Sequence, residues 1–343
     1  MPSWPARTQG RPTKRSARAE MGPPYLEEAE TRAYLDDMRF TQAYAHTVCC
    51  PSRAMLMTGR VPQRSNVNNW TQGNAKGRPG RNMNLDEKTI AEYLKENGYR
   101  TALFGKWHLG AATTHGPTRQ GFDEFFGLRG GFIDNFNHFF LHGTGFHDLY
   151  EGTEEVFRKG EYFPDLVTQR SLKFLESAGD SPFFLCVPFN IPHYPEQADP
   201  VFAQRYANLK QPRQNYAKIV STTDERIGQV LRKLDELRYR ENTIVIFMSD
   251  NGHSAEDIKI RVDDHITGVL SEHQSGKFLD MPPAGIRVRG RRSTPGRYFQ
   301  VAEPGAGWGG TDITEPLSII ESIDPEVAWP GLRLLMVSTT GED

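Results

Sequence analysis

Two hydrophobic periods alternate along the middle of the chain. Over residues 88–97, Ile90, Ala91, Tyr93 and Leu94 recur at helical spacing, and Gly98 follows as a C-terminal stop. Thr101-Ala102-Leu103-Phe104 then reads as a short buried strand ending at Gly105. Residues 166–177 return to the helical period, with Val167, Leu172, Phe174 and Leu175 apolar, and residues 183–187 form a second continuous apolar run. Residues 216–238 carry the longest helical pattern, through Ile219, Val220, Ile227, Val230, Leu231, Leu234 and Leu237. The clearest strand is residues 243–248, Thr-Ile-Val-Ile-Phe-Met. Helix followed by strand, three times over, predicts an α/β fold with a mainly parallel sheet flanked by helices. Strands without polar alternation are expected to be covered on both faces.

The ends of the chain lack this order. Pro2, Pro5, Pro12, Pro23 and Pro24 interrupt any helix in residues 1–30. Arg7, Arg11, Lys14, Arg15 and Arg18 precede no apolar stretch, so the segment does not read as a secretory signal. The regular pattern fades after about residue 266, and residues 289–343 are rich in Gly, Pro and Arg. The expected division is an irregular segment 1–30, a core domain 31–288 and an irregular tail 289–343. A hydrophobic share of 37% over 343 residues implies much loop around the core. The net charge of -2 offers no basic footprint for nucleic acid, and no apolar run is long enough to span a bilayer. Three cysteines make no disulfide framework. Cys49 and Cys50 are adjacent, a geometry that strains a mutual bridge, and Cys186 inside an apolar run reads as a core thiol.

Parallel sheets place ligand-binding groups just beyond the carboxyl ends of their strands. After the first strand comes Gly105-Lys106-Trp107-His108-Leu109-Gly110, with a cation and an imidazole two residues apart. After the second comes Asn190-Ile191-Pro192-His193, and after the third Ser249-Asp250-Asn251-Gly252-His253. A carboxylate and an amide suit a hard cation such as calcium or magnesium. Each segment alone is unremarkable as a solvated lysine or a turn. Together at three strand ends they read as an anion site beside a metal site.

Cys49-Cys50-Pro51-Ser52-Arg53 followed by Thr58-Gly59-Arg60 resembles the signature C-x-P-S-R-x-x-x-x-T-G-R of the formylglycine-dependent sulfatases. The segments Gly98–Gly110, Gly121–Gly127, Asn190–His193 and Ser249–Gly252 are similar to further segments of that family, over about residues 39–265. The resemblance implies an alkaline-phosphatase-like core and hydrolysis of a sulfate ester of a carbohydrate or aryl alcohol. It implies that a separate maturation enzyme oxidises Cys49 to Cα-formylglycine, whose hydrated diol attacks sulfur and then expels sulfate from a covalent intermediate. Asp250, Asn251 and residue Cys49 in its diol form would bind calcium, with magnesium as the alternative. Arg53 would hold the diol, Lys106 and His193 the sulfate oxygens, and His108 would take the diol proton. Family members are usually exported, which suggests a periplasmic or extracellular site. Formylglycine phosphodiesterases and phosphonate hydrolases share the cysteine motif and are the nearest alternative; a non-catalytic relic is the other.

Two features depart from the family pattern. No buried strand ending in paired aspartates precedes Cys49, where Asp36-Asp37 lies in a polar segment, so a gap or an unpaired edge is expected in the sheet, with weak metal binding. Near the C-terminus, Lys277 ahead of Gly285-Ile286-Arg287-Val288 resembles the family's second sulfate-binding lysine, and the smaller C-terminal subdomain is not recognisable.

Overall fold

The computed structural model describes residues 44–46, 48–67, 82–140, 146–193, 195–211, 213–251 and 333–339. Four helices, α1 (Cys49–Thr58), α2 (Ile90–Glu96), α3 (Phe163–Ala178) and α4 (Arg213–Glu236), pack on a seven-stranded sheet. Its strands are β1 (Arg100–Lys106), β2 (Glu124–Leu128), β3 (Tyr150–Glu151), β4 (Glu154–Glu155), β5 (Phe183–Pro188), β6 (Thr243–Ser249) and β7 (Arg333–Thr339). The order is β4-β3-β2-β1-β5-β7-β6. The pairs from β2 to β6 are parallel, and β3 and β4 add an antiparallel edge. This is the mainly parallel, helix-flanked α/β sheet that the hydrophobic pattern predicts.

Alternation along the central strands sorts their side chains onto two faces. Ala102, Phe104, Leu185, Val187, Leu335 and Val337 join the core under α3 and α4. Leu103, Phe184, Cys186, Leu334 and Met336 join the core under α1 and α2. Helix ends follow local chemistry. Thr89 and Glu92 form a capping box on α2, through Thr89 Oγ1 from the Glu92 N–H (3.1 Å) and Glu92 Oε2 from the Thr89 N–H (2.8 Å). Pro164 sits in the first turn of α3, where a missing N–H is harmless.

Two expectations are corrected. The stretch 289–343 is not irregular throughout: β7, whose side chains are buried from Arg333 to Ser338, lies inside the sheet between β5 and β6. No gap opens there. The run Leu334–Val337 is masked in the sequence by a stretch otherwise rich in Gly, Pro and Arg, and its place is set by pairing with strands about 90 and 150 residues away. The second correction concerns β6. It is the outer strand rather than a doubly covered one, with Ile244 47% and Phe247 38% exposed. An apolar run does not reveal which strand stands at an edge.

Candidate active site

The site lies where α1 meets the carboxyl ends of β1, β5 and β6. Helix α1 starts at Cys49, so its first-turn N–H groups have no intrahelical acceptors and favour negative charge at this end. Pro51 falls in that first turn. Gly59 ends the helix in the left-handed region (φ 66°), donating its N–H to the Met55 carbonyl at 2.8 Å. Arg60 then grips Glu87 with two hydrogen bonds of 3.1 and 2.9 Å. The Thr-Gly-Arg element therefore seats the helix, at the opposite end from Cys49.

Arg53 joins α1 to β1. Its Nε donates to the Trp107 carbonyl at 2.7 Å and its Nη2 donates to the Lys106 carbonyl. Its remaining nitrogen stands 3.8 Å from Asp250 Oδ2. The guanidinium thus fixes the end of β1 and brings positive charge to Asp250.

Lys106 ends β1 with its side chain fully buried, and Gly105 before it approaches β5 so closely that a Cβ would lie 2.0 Å from the Pro188 carbonyl oxygen. Lys106 Nζ is 3.9 Å from Asp250 Oδ2. Neither Nζ nor either Asp250 carboxylate oxygen has a hydrogen-bond partner among the described residues. Buried groups of this kind are nearly always paired in finished proteins, so this unspent capacity makes the two groups candidates to hold a ligand, an ion or water. Burial lifts the Asp250 carboxyl to about 6, against the pull of Lys106 and Arg53.

His108 adopts a left-handed backbone conformation (φ 59°), uncommon for a residue with a side chain and a frequent mark of functional sites. Its ring lies between the two cysteines: Cys49 Sγ is 3.2 Å from Nδ1 and Cys50 Sγ 3.1 Å from Nε2. Gly131 backs the ring, and a Cβ there would lie 2.7 Å from Cε1. The loop carrying Gly131 is pinned by buried Asp148, which accepts from the Arg129 N–H (3.0 Å) and the Gly130 N–H (2.8 Å). The Cys49 thiol is held well below its ordinary range by its hydrogen bond to Cys50, helped by Lys106 and His108 and opposed by burial. Burial holds His108 below the usual imidazole range. Cys186 behaves as a core thiol, pushed up to about 12 by burial.

The two sulfurs and the imidazole are close enough, within 4.8 Å, to hold a soft cation. The ring nitrogens face different sulfurs, however, and a single ion takes only one of them, while Lys106 and Arg53 bring positive charge to the same place. For a hard cation the fit is better. Asp250 presents two oxygens with no hydrogen-bond partner among the described residues, and Asn251 follows it, half-buried.

Cys49, Arg53, Lys106, His108 and Asp250 are thus brought together. His193 lies on the loop after β5, stacked on Phe132 with ring centroids 4.7 Å apart. Asn190, on the same loop, donates to Asn135 Oδ1 at 2.9 Å. Lys277, Asp36, Asp37 and His253 lie outside the described residues. The sequence pattern assigns no role to Cys50 or Gly131. The Cys-Cys pair was visible, but helix neighbours project about 100° apart and nothing in the sequence puts one ring against both.

The Sulfatase family description matches residues 22–289. The chain belongs to the sulfatase family. It is 32% identical over 228 residues to Arylsulfatase J of Mus musculus, covering 63% of this chain and 37% of that protein. It is 34% identical over 242 residues to the mouse N-acetylgalactosamine-6-sulfatase, covering 64% and 44%. The crystal structure of Ps i-CgsB in complex with k-i-k-neocarrahexaose superposes with a TM-score of 0.55 at 32% identity, covering 62% of this chain and 50% of that one. This sulfatase-family chain therefore spans about half or less of the length of these three relatives. No helix among the described residues is long and apolar enough to cross a membrane.

Proposed function

We propose that the chain hydrolyses sulfate esters of a carbohydrate or aryl alcohol through residue 49 as Cα-formylglycine. The observation that carries this reading is the packing of Cys49 against His108 at the start of α1, beside a buried Lys106 whose ammonium makes no hydrogen bond among the described residues. The Cys49 sulfur stands in for a diol oxygen of the matured residue. That oxygen attacks sulfur and gives up its proton, the bond from sulfur to the alcohol oxygen breaks, and the alcohol leaves carrying that proton. His108 Nδ1, already within hydrogen-bond reach of position 49, takes the proton of the second hydroxyl as the aldehyde reforms and sulfate leaves. Lys106, its charge buried and pre-aimed, holds the sulfate oxygens and stabilises the charge that develops on them. His193 and Lys277 are assigned to the same anion. Asp250 and Asn251 would hold a divalent cation, calcium or magnesium, which when bound polarises a sulfate oxygen and favours the ionised diol. Names among the relatives, such as N-acetylgalactosamine-6-sulfatase, support a sulfated glycan as substrate.

The test is co-expression with a formylglycine-generating enzyme, mass spectrometry of the peptide containing Cys49, and turnover of 4-nitrophenyl sulfate against bis(4-nitrophenyl) phosphate. Conversion at Cys49 with sulfate ester cleavage that disappears in Cys49→Ala is expected. Cleavage persisting undiminished in Cys49→Ala would overturn the proposal. A faster rate on the phosphodiester would move the chain to the phosphodiesterase reading.

A further inference from the structure

The proposed reaction uses only one nitrogen of His108. The other, Nε2, faces Cys50 Sγ at 3.1 Å in a fully closed interior, where Cys50 is 0% and His108 3% exposed. We propose that Cys50 is a positioning residue: its sulfur accepts the Nε2–H of His108, which keeps Nδ1 unprotonated and aimed at residue 49. This rests on the formylglycine reading of the site.

The role of Cys50 follows from the tautomer of the ring and the room around it. A neutral imidazole carries one proton, and the hydrogen bond made by one nitrogen decides what the other can do. If the Cys50 thiol donated to Nε2, Nδ1 would carry the proton and could not accept one from the diol. With Cys50 as acceptor, Nδ1 is the base. The ring has little freedom to choose another pose, because Gly131 closes its edge so tightly that a methyl group there would lie 2.9 Å from Nε2. The left-handed backbone at His108 then points the ring into the space between the two sulfurs. Cys50 sits one residue along α1 from Cys49, so the same helix that presents the nucleophile also sets the base. This is the nucleophile, base and orienter logic of hydrolytic sites, with a thiol in the orienting place.

Two readouts test it in the full chain converted at residue 49. The first is the His108 tautomer, from two-bond 1H–15N correlation of ring-15N-histidine protein, assigned against His108→Asn. The second is kcat and KM for 4-nitrophenyl sulfate, with rates divided by the formylglycine content of each preparation. The wild type is expected to show Nε2–H at His108. Cys50→Ala, or the near-isosteric Cys50→Val should the alanine cavity unfold the protein, is expected to mix the tautomers. The same change is expected to lower kcat roughly 10-fold or more with KM held within about twofold, by analogy with the loss of outer-shell partners of metal-binding histidines. Cys50→Ser, which keeps an acceptor, should recover most of the rate and the Nε2–H tautomer. An Nδ1–H tautomer in the wild type overturns the proposal, as does an unchanged tautomer and rate in the Ala or Val variant. If the converted wild type cleaves no sulfate ester, the proposed function fails, and the tautomer comparison still decides the role of Cys50.

Discussion

Lys106 Nζ and Asp250 Oδ2 face each other across 3.9 Å in the interior, too far apart for a hydrogen bond. A finished structural ion pair would close that distance. Held open, the two groups present a positive and a negative pole to the same space, where an anion and a cation can sit together. The pairing therefore predicts that Lys106 contributes to turnover more than to stability. Lys106→Ala is expected to lower kcat for an aryl sulfate by about 10²–10³-fold, the usual effect of removing one pre-aimed donor to developing charge. Steady-state kinetics on material matched for formylglycine content measures this.

Asp250 gives the site a pH dependence. Burial raises its carboxyl to about 6 from an ordinary 3.8. Between those values the folded chain keeps a proton that the unfolded chain has released. Without a cation, stability therefore falls as pH rises through this window and is flat above about 6, by an amount on the order of 3 kcal/mol at most. Asp148, raised to about 6 by burial, acts with the same sign. Thermal melts from pH 4 to 7 should show the decline, and Asp250→Asn should remove part of it. A calcium ion competes with that proton, so calcium affinity is expected to rise about tenfold per pH unit up to pH 6 and then level. Binding is expected to be weak, since among the described residues Asp250 and Asn251 supply few of the six to eight oxygens calcium takes. Calorimetric titrations at pH 5 and pH 7 check both statements, and tight stoichiometric binding at pH 5 would contradict them.

The contact between Gly131 and the His108 ring predicts the outcome of a one-methyl change. In Gly131→Ala the new Cβ would start 2.7 Å from Cε1, so the ring or the loop must shift. Asp148 pins the loop through two backbone hydrogen bonds, which makes the ring the more yielding partner. Displacing a catalytic base by about 1 Å costs on the order of 10²-fold. The expected result is a loss of that size in kcat with a melting temperature close to wild type.

Strand β7 can be tested by its packing. Leu335 is fully buried on the α3 and α4 face, and β7 holds β5 and β6 together. Leu335→Ala is expected to cost about 2–5 kcal/mol by urea unfolding, as for other large-to-small changes in a core. A change below about 0.5 kcal/mol would mean that the strand does not occupy this slot in solution.

Much of the fold was legible because its signals are local. The Thr89 and Glu92 capping box, the apolar stripe of α4 and the unbroken runs in β1 and β5 each lie within a few residues of sequence. The same holds for Lys106, His108 and Asp250, which stand at or just beyond strand ends where a parallel sheet presents its ligands. The role of Arg53 was less legible. A motif shows that an arginine is present; only the chain path showed its donors going to the carbonyls of Lys106 and Trp107.

By itself the sequence determined the α/β class, the three strand ends that carry the chemistry and the resemblance that names the family. Those properties depend on neighbours along the chain, and periodicity and motif spacing record them directly. The tertiary structure alone decided that β7 enters between β5 and β6, that β6 stands at the edge, and that one imidazole bridges Cys49 and Cys50. Each of these depends on contacts between residues about 60 to 150 positions apart. Their geometry is set by how the sheet closes its hydrogen bonds and how the buried side chains fill the remaining space, and no local stretch of sequence contains that information.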